Sequence, residues 1–185
     1  MADQALRKAP LAGRHGGSAV ARIAPAAPAT RLSLRAGAEA LPALSAAFGL
    51  DLPVRPKTSA FKNGRHALWL GPDEWLLIDE NGADLTALAA SADVLHSAVD
   101  VSHRNTAILV SGPKAAQAIA SGSPHDLSPA IFPVGACVRT MLGKIEVVIL
   151  RTGEEDYRVE CWRSFSAYAF GMLSEGAEDA GLNHA

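Results

Sequence analysis

Between His66 and Asp79 two apolar runs, His66-Ala-Leu-Trp-Leu70 and Trp75-Leu-Leu-Ile-Asp79, flank Gly71-Pro72-Asp73-Glu74. Turn-forming residues set between two runs of strand length predict a β-hairpin. The rest of the chain must supply what such a hairpin packs against. Arg31-Leu-Ser-Leu-Arg35 alternates polar and apolar, the period of a half-buried strand. Leu41, Leu44 and Phe48 recur at helical spacing, with Pro42 in the first turn and Gly49 as the stop. The prolines and lysines between Asp51 and Gly64 mark a loop.

Beyond the hairpin, Leu85, Leu88 and Ala89 predict a helix, and Val94 to Val101 and Asn105 to Val110 predict strands. Ser111-Gly-Pro113 announces a helix over Lys114 to Ala120. After a Pro-rich loop, Cys137 to Leu142, Lys144 to Arg151 and Tyr157 to Trp162 read as strands. Phe165, Ala169, Met172 and Leu173 then share one face of a last helix. The expected fold is α+β: one compact domain over residues 31–185, with antiparallel or mixed sheets and packed helices. Strand, turn, strand and helix recur near 66–92 and 137–175, which suits two related halves, although the residues themselves do not repeat.

Residues 1–30 read differently. The stretch is basic at its start, carries the Ala-Pro run Ala24 to Thr30 and has no periodicity, so it is expected to be an arm. Such an arm is disordered alone, laid along a partner, or a plain tail. No apolar segment of about 7–15 residues follows the basic start, against a secretory signal. Apolar residues make up 49% of the chain and charged residues 19%, and 17 basic against 19 acidic side chains leave a net charge of −2. That balance gives no electrostatic reason to expect nucleic acid. No stretch reaches the ~18 apolar residues of a membrane span. Two cysteines are too few for a disulfide framework, which points to a reducing cytoplasm.

Candidates for chemistry are few. No G-x-G-x-x-G follows a strand and no G-x-x-x-x-G-K-[ST] occurs, so no dinucleotide or phosphate loop is expected. The six histidines form no H-E-x-x-H, and Cys137 and Cys161 lie in apolar strands, where cysteine behaves as a small hydrophobe. Asp100-Val-Ser-His-Arg104 is the densest polar cluster. On a strand, Asp100, Ser102 and Arg104 would share one face and His103 the other, so the segment reads as a structural network rather than a hydrolytic triad. Trp162-Arg163-Ser164-Phe165 joins the last strand to the last helix, with Ser164 as a cap. Trp162 suits either the core or an interface, and Arg163 an interface.

Five stretches in register carry a resemblance: Leu70-Gly-Pro-Asp-Glu-Trp-Leu-Leu77, Val99-Asp-Val-Ser-His-Arg104, Phe132-Pro-Val-Gly-Ala-Cys137, Arg139-Thr-Met-Leu-Gly143 and Glu160-Cys-Trp-Arg-Ser-Phe165. Together they resemble the gamma-subunit family of heterotetrameric sarcosine oxidase, from about Leu68 to about Glu175. The resemblance implies a non-catalytic scaffold in an enzyme that oxidatively demethylates sarcosine to glycine, with oxygen as acceptor and tetrahydrofolate as one-carbon carrier. It implies no cofactor in this chain: FAD, FMN, NAD and the folate site belong to the large alpha and beta subunits, and zinc to the small delta subunit. Asp100, Ser102, His103, Arg104, Trp162 and Arg163 become structural or interface candidates.

Ser111-Gly-Pro-Lys-Ala115 and Glu155-Asp-Tyr157 are similar to the folate-binding aminomethyltransferase fold, including the glycine-cleavage T-protein. Where those enzymes carry paired acids, this chain has Leu142-Gly-Lys-Ile-Glu-Val-Val148. The alternatives are a stand-alone folate-binding or one-carbon-transfer protein and a free-standing YgfZ-like interaction protein.

Overall fold

A computed structural model describes residues 10–182. Its strands in the first part of the chain are β1 (Gly16–Gly17), β2 (Arg22–Pro25), β3 (Thr30–Ala36), β4 (Ser59–Lys62), β5 (Arg65–Gly71), β6 (Glu74–Asp79) and β7 (His96–Asp100). Those that follow are β8 (Asn105–Ser111), β9 (Cys137–Leu142), β10 (Ile145–Arg151) and β11 (Asp156–Trp162). The α-helices are α1 (Leu41–Phe48), α2 (Leu85–Ala90), α3 (Ala115–Ala120) and α4 (Ser166–Leu182).

The predicted hairpin forms as β5 and β6, turning over Pro72 and Asp73. Gly49 ends α1 in the left-handed conformation at φ +64°, which glycine adopts without a Cβ clash. Asp84 starts α2 by accepting a hydrogen bond from the Ala87 N–H at 3.0 Å. α3 starts one residue later than expected, after Lys114, which supplies no side-chain cap.

Every pairing among these strands is antiparallel. They make a five-stranded sheet, β4-β5-β6-β3-β7, and a six-stranded sheet, β1-β2-β8-β11-β10-β9. Because side chains alternate along a strand, each sheet has two faces to cover. Leu32, Leu34, Trp75 and Leu77 of the first sheet pack on Leu44 and Phe48 of α1 and Leu85 and Ala89 of α2. Ile108, Val110, Tyr157 and Val159 of the second pack on Ile119 of α3 and Ala169 and Leu173 of α4. The remaining faces meet through Leu68, Leu76, Ile78, Cys137, Val148 and Leu150. The layers therefore run helix, sheet, sheet, helix.

The two halves are topologically equivalent. β3-α1-β4-β5-β6-α2 and β8-α3-β9-β10-β11-α4 both run strand, helix, three-strand meander, helix, and each meander lies in the same order beside its first strand. Registers agree: Leu34 faces Trp75 in one sheet and Val110 faces Tyr157 in the other. The outer strands are exchanged. β2 precedes the first half yet pairs with β8 of the second, and β7 precedes the second yet pairs with β3 of the first.

Two expectations change. Ordered structure begins ahead of Arg31, because Arg22–Pro25 is a strand of the six-stranded sheet, with Ala21 and Ile23 wholly buried. Ala24 and Pro25, from the run that read as a loose arm, pair with β8, and the missing N–H of Pro25 costs nothing because it faces away from β8 at a position β1 does not reach. Residues 1–9 of the expected arm lie outside the described residues. The loop from Asp51 to Gly64 also contains β4, whose Ser59-Ala-Phe-Lys62 pairs with β5 and donates one further main-chain bond, from Ser59 N–H to Gly135 O at 3.0 Å.

Candidate functional site

The layer between the sheets holds the main buried charges. Arg31 on β3 reaches across to Glu160 on β11, with Nε at 2.7 Å from Oε2 and Nη2 at 3.2 Å from Oε1. Arg158 donates Nε to Glu160 Oε1 at 2.8 Å and Nη1 to Glu80 Oε1 at 2.8 Å. The side chains of Arg31 and Glu160 are 3% and 1% exposed. A carboxylate so placed is tolerable only because two guanidiniums solvate it. The equivalent positions on β6 are Leu76 and Ile78, so where β11 is charged its counterpart strand is apolar. Sequence reasoning missed this network. Its one signal was Arg158 and Glu160 at alternate positions of an otherwise apolar strand.

The Asp100–Arg104 segment is not a strand face. β7 ends at Asp100, and residues 102–104 form a turn. Asp100 Oδ1 accepts the Ser102 N–H at 2.7 Å. Hydrogen bonds from Ser102, side chain first and backbone second, hold its carboxyl below the usual range. The Ser102 hydroxyl accepts the Arg31 N–H at 2.8 Å and so pins the turn to β3. Arg104 turns away: its guanidinium lies 4.1 Å from the centroid of the Trp162 ring. Of the expected Asp100–Ser102–Arg104 network the Asp100–Ser102 contact forms within the turn, whereas Arg104 lies outside it, because the chain turns where an extended face was expected. The Asp100 carboxylate is held by Ser102, through side chain and main chain, and the Ser102 hydroxyl by the main chain of Arg31. His103 is exposed beside Asp100.

Trp162 is 40% exposed and stacks on Phe165 at 5.9 Å. Arg104, Trp162 and Phe165 thus make a cation–aromatic–aromatic ladder on the surface, with Arg163 next in sequence. Trp162 therefore lies at the surface and not in the core. Ser164 lies within a 3-10 turn, Arg163–Phe165, and Ser166, not Ser164, closes it by donating to Arg163 O at 2.8 Å.

A cleft of about 230 Å³ runs beneath this ladder between the sheets, lined by Ser33, Leu76, Val101, Arg104, Asn105 and Trp162 among others. A second, of about 430 Å³, opens at the other end beside Phe61, His66, Glu80, Leu109 and Arg158. His66 has its pKa lowered, first by burial and then, in part, by Arg158. Burial pushes the thiols of Cys137 and Cys161 up to about 12, far from the thiolate a nucleophile needs. Among the described residues no three of His, Cys, Asp or Glu come together to hold a metal, and no helix is long and apolar enough to cross a membrane.

Residues 35–179 match the sequence model of a family described as "Sarcosine oxidase, gamma subunit family". The chain belongs to that family. A gamma subunit of sarcosine oxidase from Corynebacterium sp. strain P-1 is 33% identical over 156 residues, covering 82% of this chain and 77% of the relative. One from Arthrobacter sp. is 35% identical over 136 residues, covering 71% and 67%. A chain of the heterotetrameric sarcosine oxidase from Corynebacterium sp. U-96, solved in complex with pyrrole 2-carboxylate, superposes with a TM-score of 0.85 at 30% identity. It covers 93% of this chain and 95% of that one. Aminomethyltransferase T of the glycine cleavage system from Bartonella henselae superposes with a TM-score of 0.58 at 14% identity, over 84% of this chain and 45% of that one, a likeness of fold alone. The gamma-subunit match takes in all five stretches that carried the resemblance, and β2 lies ahead of it.

Proposed function

We propose that this chain is the gamma subunit of a heterotetrameric sarcosine oxidase and works in it as a non-catalytic scaffold. The observation that carries the reading is the superposition over nearly the whole of both chains on one chain of such a heterotetramer. The complex oxidises sarcosine to glycine, oxygen accepts the electrons, and tetrahydrofolate takes the released one-carbon unit. FAD, FMN, NAD, folate and zinc are held by the alpha, beta and delta partners, in the cytoplasm. Cofactors carry the hard chemistry in such enzymes, and a subunit without one contributes position and support. In this reading Asp100 and Ser102 hold the β7–β8 turn, while His103, Arg104, Trp162 and Arg163 face a partner. The folate-binding alternative has only a likeness of fold in its favour.

The test is co-expression with the alpha, beta and delta chains of the same organism. The purified chain alone is expected to be colourless and inert toward sarcosine, and to enter a flavin-bearing, sarcosine-oxidising complex with its partners. Stoichiometric flavin absorbance in the lone chain, or a complex that assembles and turns over normally without it, would overturn the reading. Tight binding of a reduced folate by the lone chain would favour the alternative.

A further inference from the structure

Hydrogen-bond parity leaves main-chain groups of β7 without a strand. Val101 donates its N–H to Arg31 O at 2.9 Å. In the register that runs from Leu32–Asp100 to Ala36–His96, Val99 and Ser97 therefore face β3. The N–H and C=O groups of His96, Ala98 and Asp100 point to the open edge. The internal symmetry supplies a comparison. β2 is the counterpart of β7, and Ile23 holds the place of Ala98: Ile23 lies opposite Val110 as Ala98 lies opposite Leu34. The outward groups of Ile23 are met by Gly16 of β1. No described strand does this for β7.

Natural proteins blunt a free edge with lysine, proline, a bulge or a cover. His96–Asp100 carries no lysine or proline, and Leu95 and Val99 are 89% and 54% exposed. The edge also continues into the cleft under the ladder. Val99 stands beside Ser33 across the pairing, and Ser33 lines that cleft with Arg104 and Trp162. Stacked on Trp162, Arg104 meets no carboxylate among the described residues. Within the cleft the buried Asn105 Oδ1 lacks a donor.

We propose that the open edge of β7 takes an extended segment of another chain of the heterotetramer, and that this segment sets a carboxylate on Arg104. The proposal rests on the subunit reading above. Main-chain pairing gives such a contact its affinity, and side-chain pockets give it its specificity. Here Leu95 and Val99 receive apolar residues, and the guanidinium of Arg104 selects an acid in a charge-assisted pair. A segment docked this way gives β7 the cover that β1 gives β2.

The experiment compares the chain alone with the co-expressed complex by amide hydrogen exchange. The amides of Ala98 and Asp100 are expected to slow at least about tenfold in the complex, the scale of one main-chain hydrogen bond gained at an interface. Ala98→Pro removes an outward N–H and leaves the ladder to β3 intact, and Arg104→Glu reverses the charge. Each is expected to lower the yield of complex about tenfold, with the thermal midpoint of the lone chain kept within a few degrees. If Ala98→Pro fails to fold, Arg104→Glu and the exchange rates decide. Should the wild-type chain not enter the complex, the subunit reading falls and this proposal with it. If it assembles but the β7 amides exchange as in the lone chain, or both variants assemble like wild type, the docking edge is wrong and the subunit reading stands. A concentration-dependent dimer of the lone chain that Ala98→Pro abolishes would assign the edge to a second copy and overturn the proposal.

Discussion

Glu160 joins the two sheets through two guanidiniums, so its removal leaves Arg31 without a carboxylate in the interior and Arg158 with Glu80 alone. Breaking a buried pair on one side costs about 3–5 kcal/mol. Glu160→Ala is therefore expected to unfold most of the protein at 37 °C, read by circular dichroism; a variant that melts within a few degrees of wild type would show the pair to be unimportant. Ser102 acts more locally. Ser102→Ala leaves the Arg31 N–H without its acceptor, worth about 1–2 kcal/mol by chemical denaturation, and Asp100→Ala, at an exposed turn, should cost about 1 kcal/mol or less. Equal losses at both positions would contradict this order. His66 brings pH dependence. Its folded pKa lies below the ordinary value of about 6.5, so the unfolded chain binds the proton more readily. Stability from this group is whole above that value and is lost as pH falls through it toward the folded pKa. His125 shifts the same way, also through burial first. The melting temperature should thus fall more steeply between about pH 7.5 and 5.5 in wild type than in His66→Gln, and parallel curves would remove His66 from the account.

At the scale of elements, β2 matters more than its composition promises. Ile23 is wholly buried among Ile108, Val110 and Tyr157, and β2 covers the edge of β8. Ile23→Ala is expected to cost about 2–5 kcal/mol, the usual range for truncating a large buried aliphatic side chain. Deleting residues 1–28 should give aggregating material, because it bares a long apolar edge strand. A truncated chain that stays soluble and melts like the full one would restore the loose-arm picture. β4 shows the converse case. It pairs only with β5 within its sheet and presents Phe61 to solvent, and its register depends on the hairpin beside it.

For the whole molecule, the exchange of β2 and β7 between halves means that neither sheet is complete without chain from the other side. Opening one half should therefore open both. The buried thiols provide the probe: Cys137 sits between the sheets and Cys161 under α3 and α4. Alkylation by iodoacetamide at pH 8 is expected to be slow at both and to occur at one common rate set by global unfolding. Rapid labelling of one cysteine alone would show that the halves open independently.

The sequence by itself determined the local elements. The β5–β6 hairpin, α1 with its Gly49 stop, α2 and the three C-terminal strands follow from period, turn residues and caps, which act over a few positions. It also carried the family, through five short stretches in order. Only the tertiary structure decided where partners come from at long range. Ile23 is a core residue because β8, some 85 positions away, offers a free edge. Arg31 and Glu160 form a pair because the sheets stack, and nothing within 129 positions of chain announces it. The Asp100–Arg104 cluster misled for the same reason: its residue types suit a strand face, but the crossing to β8 demands a turn. That turn folds Ser102 back onto Asp100 and sends Arg104 to Trp162.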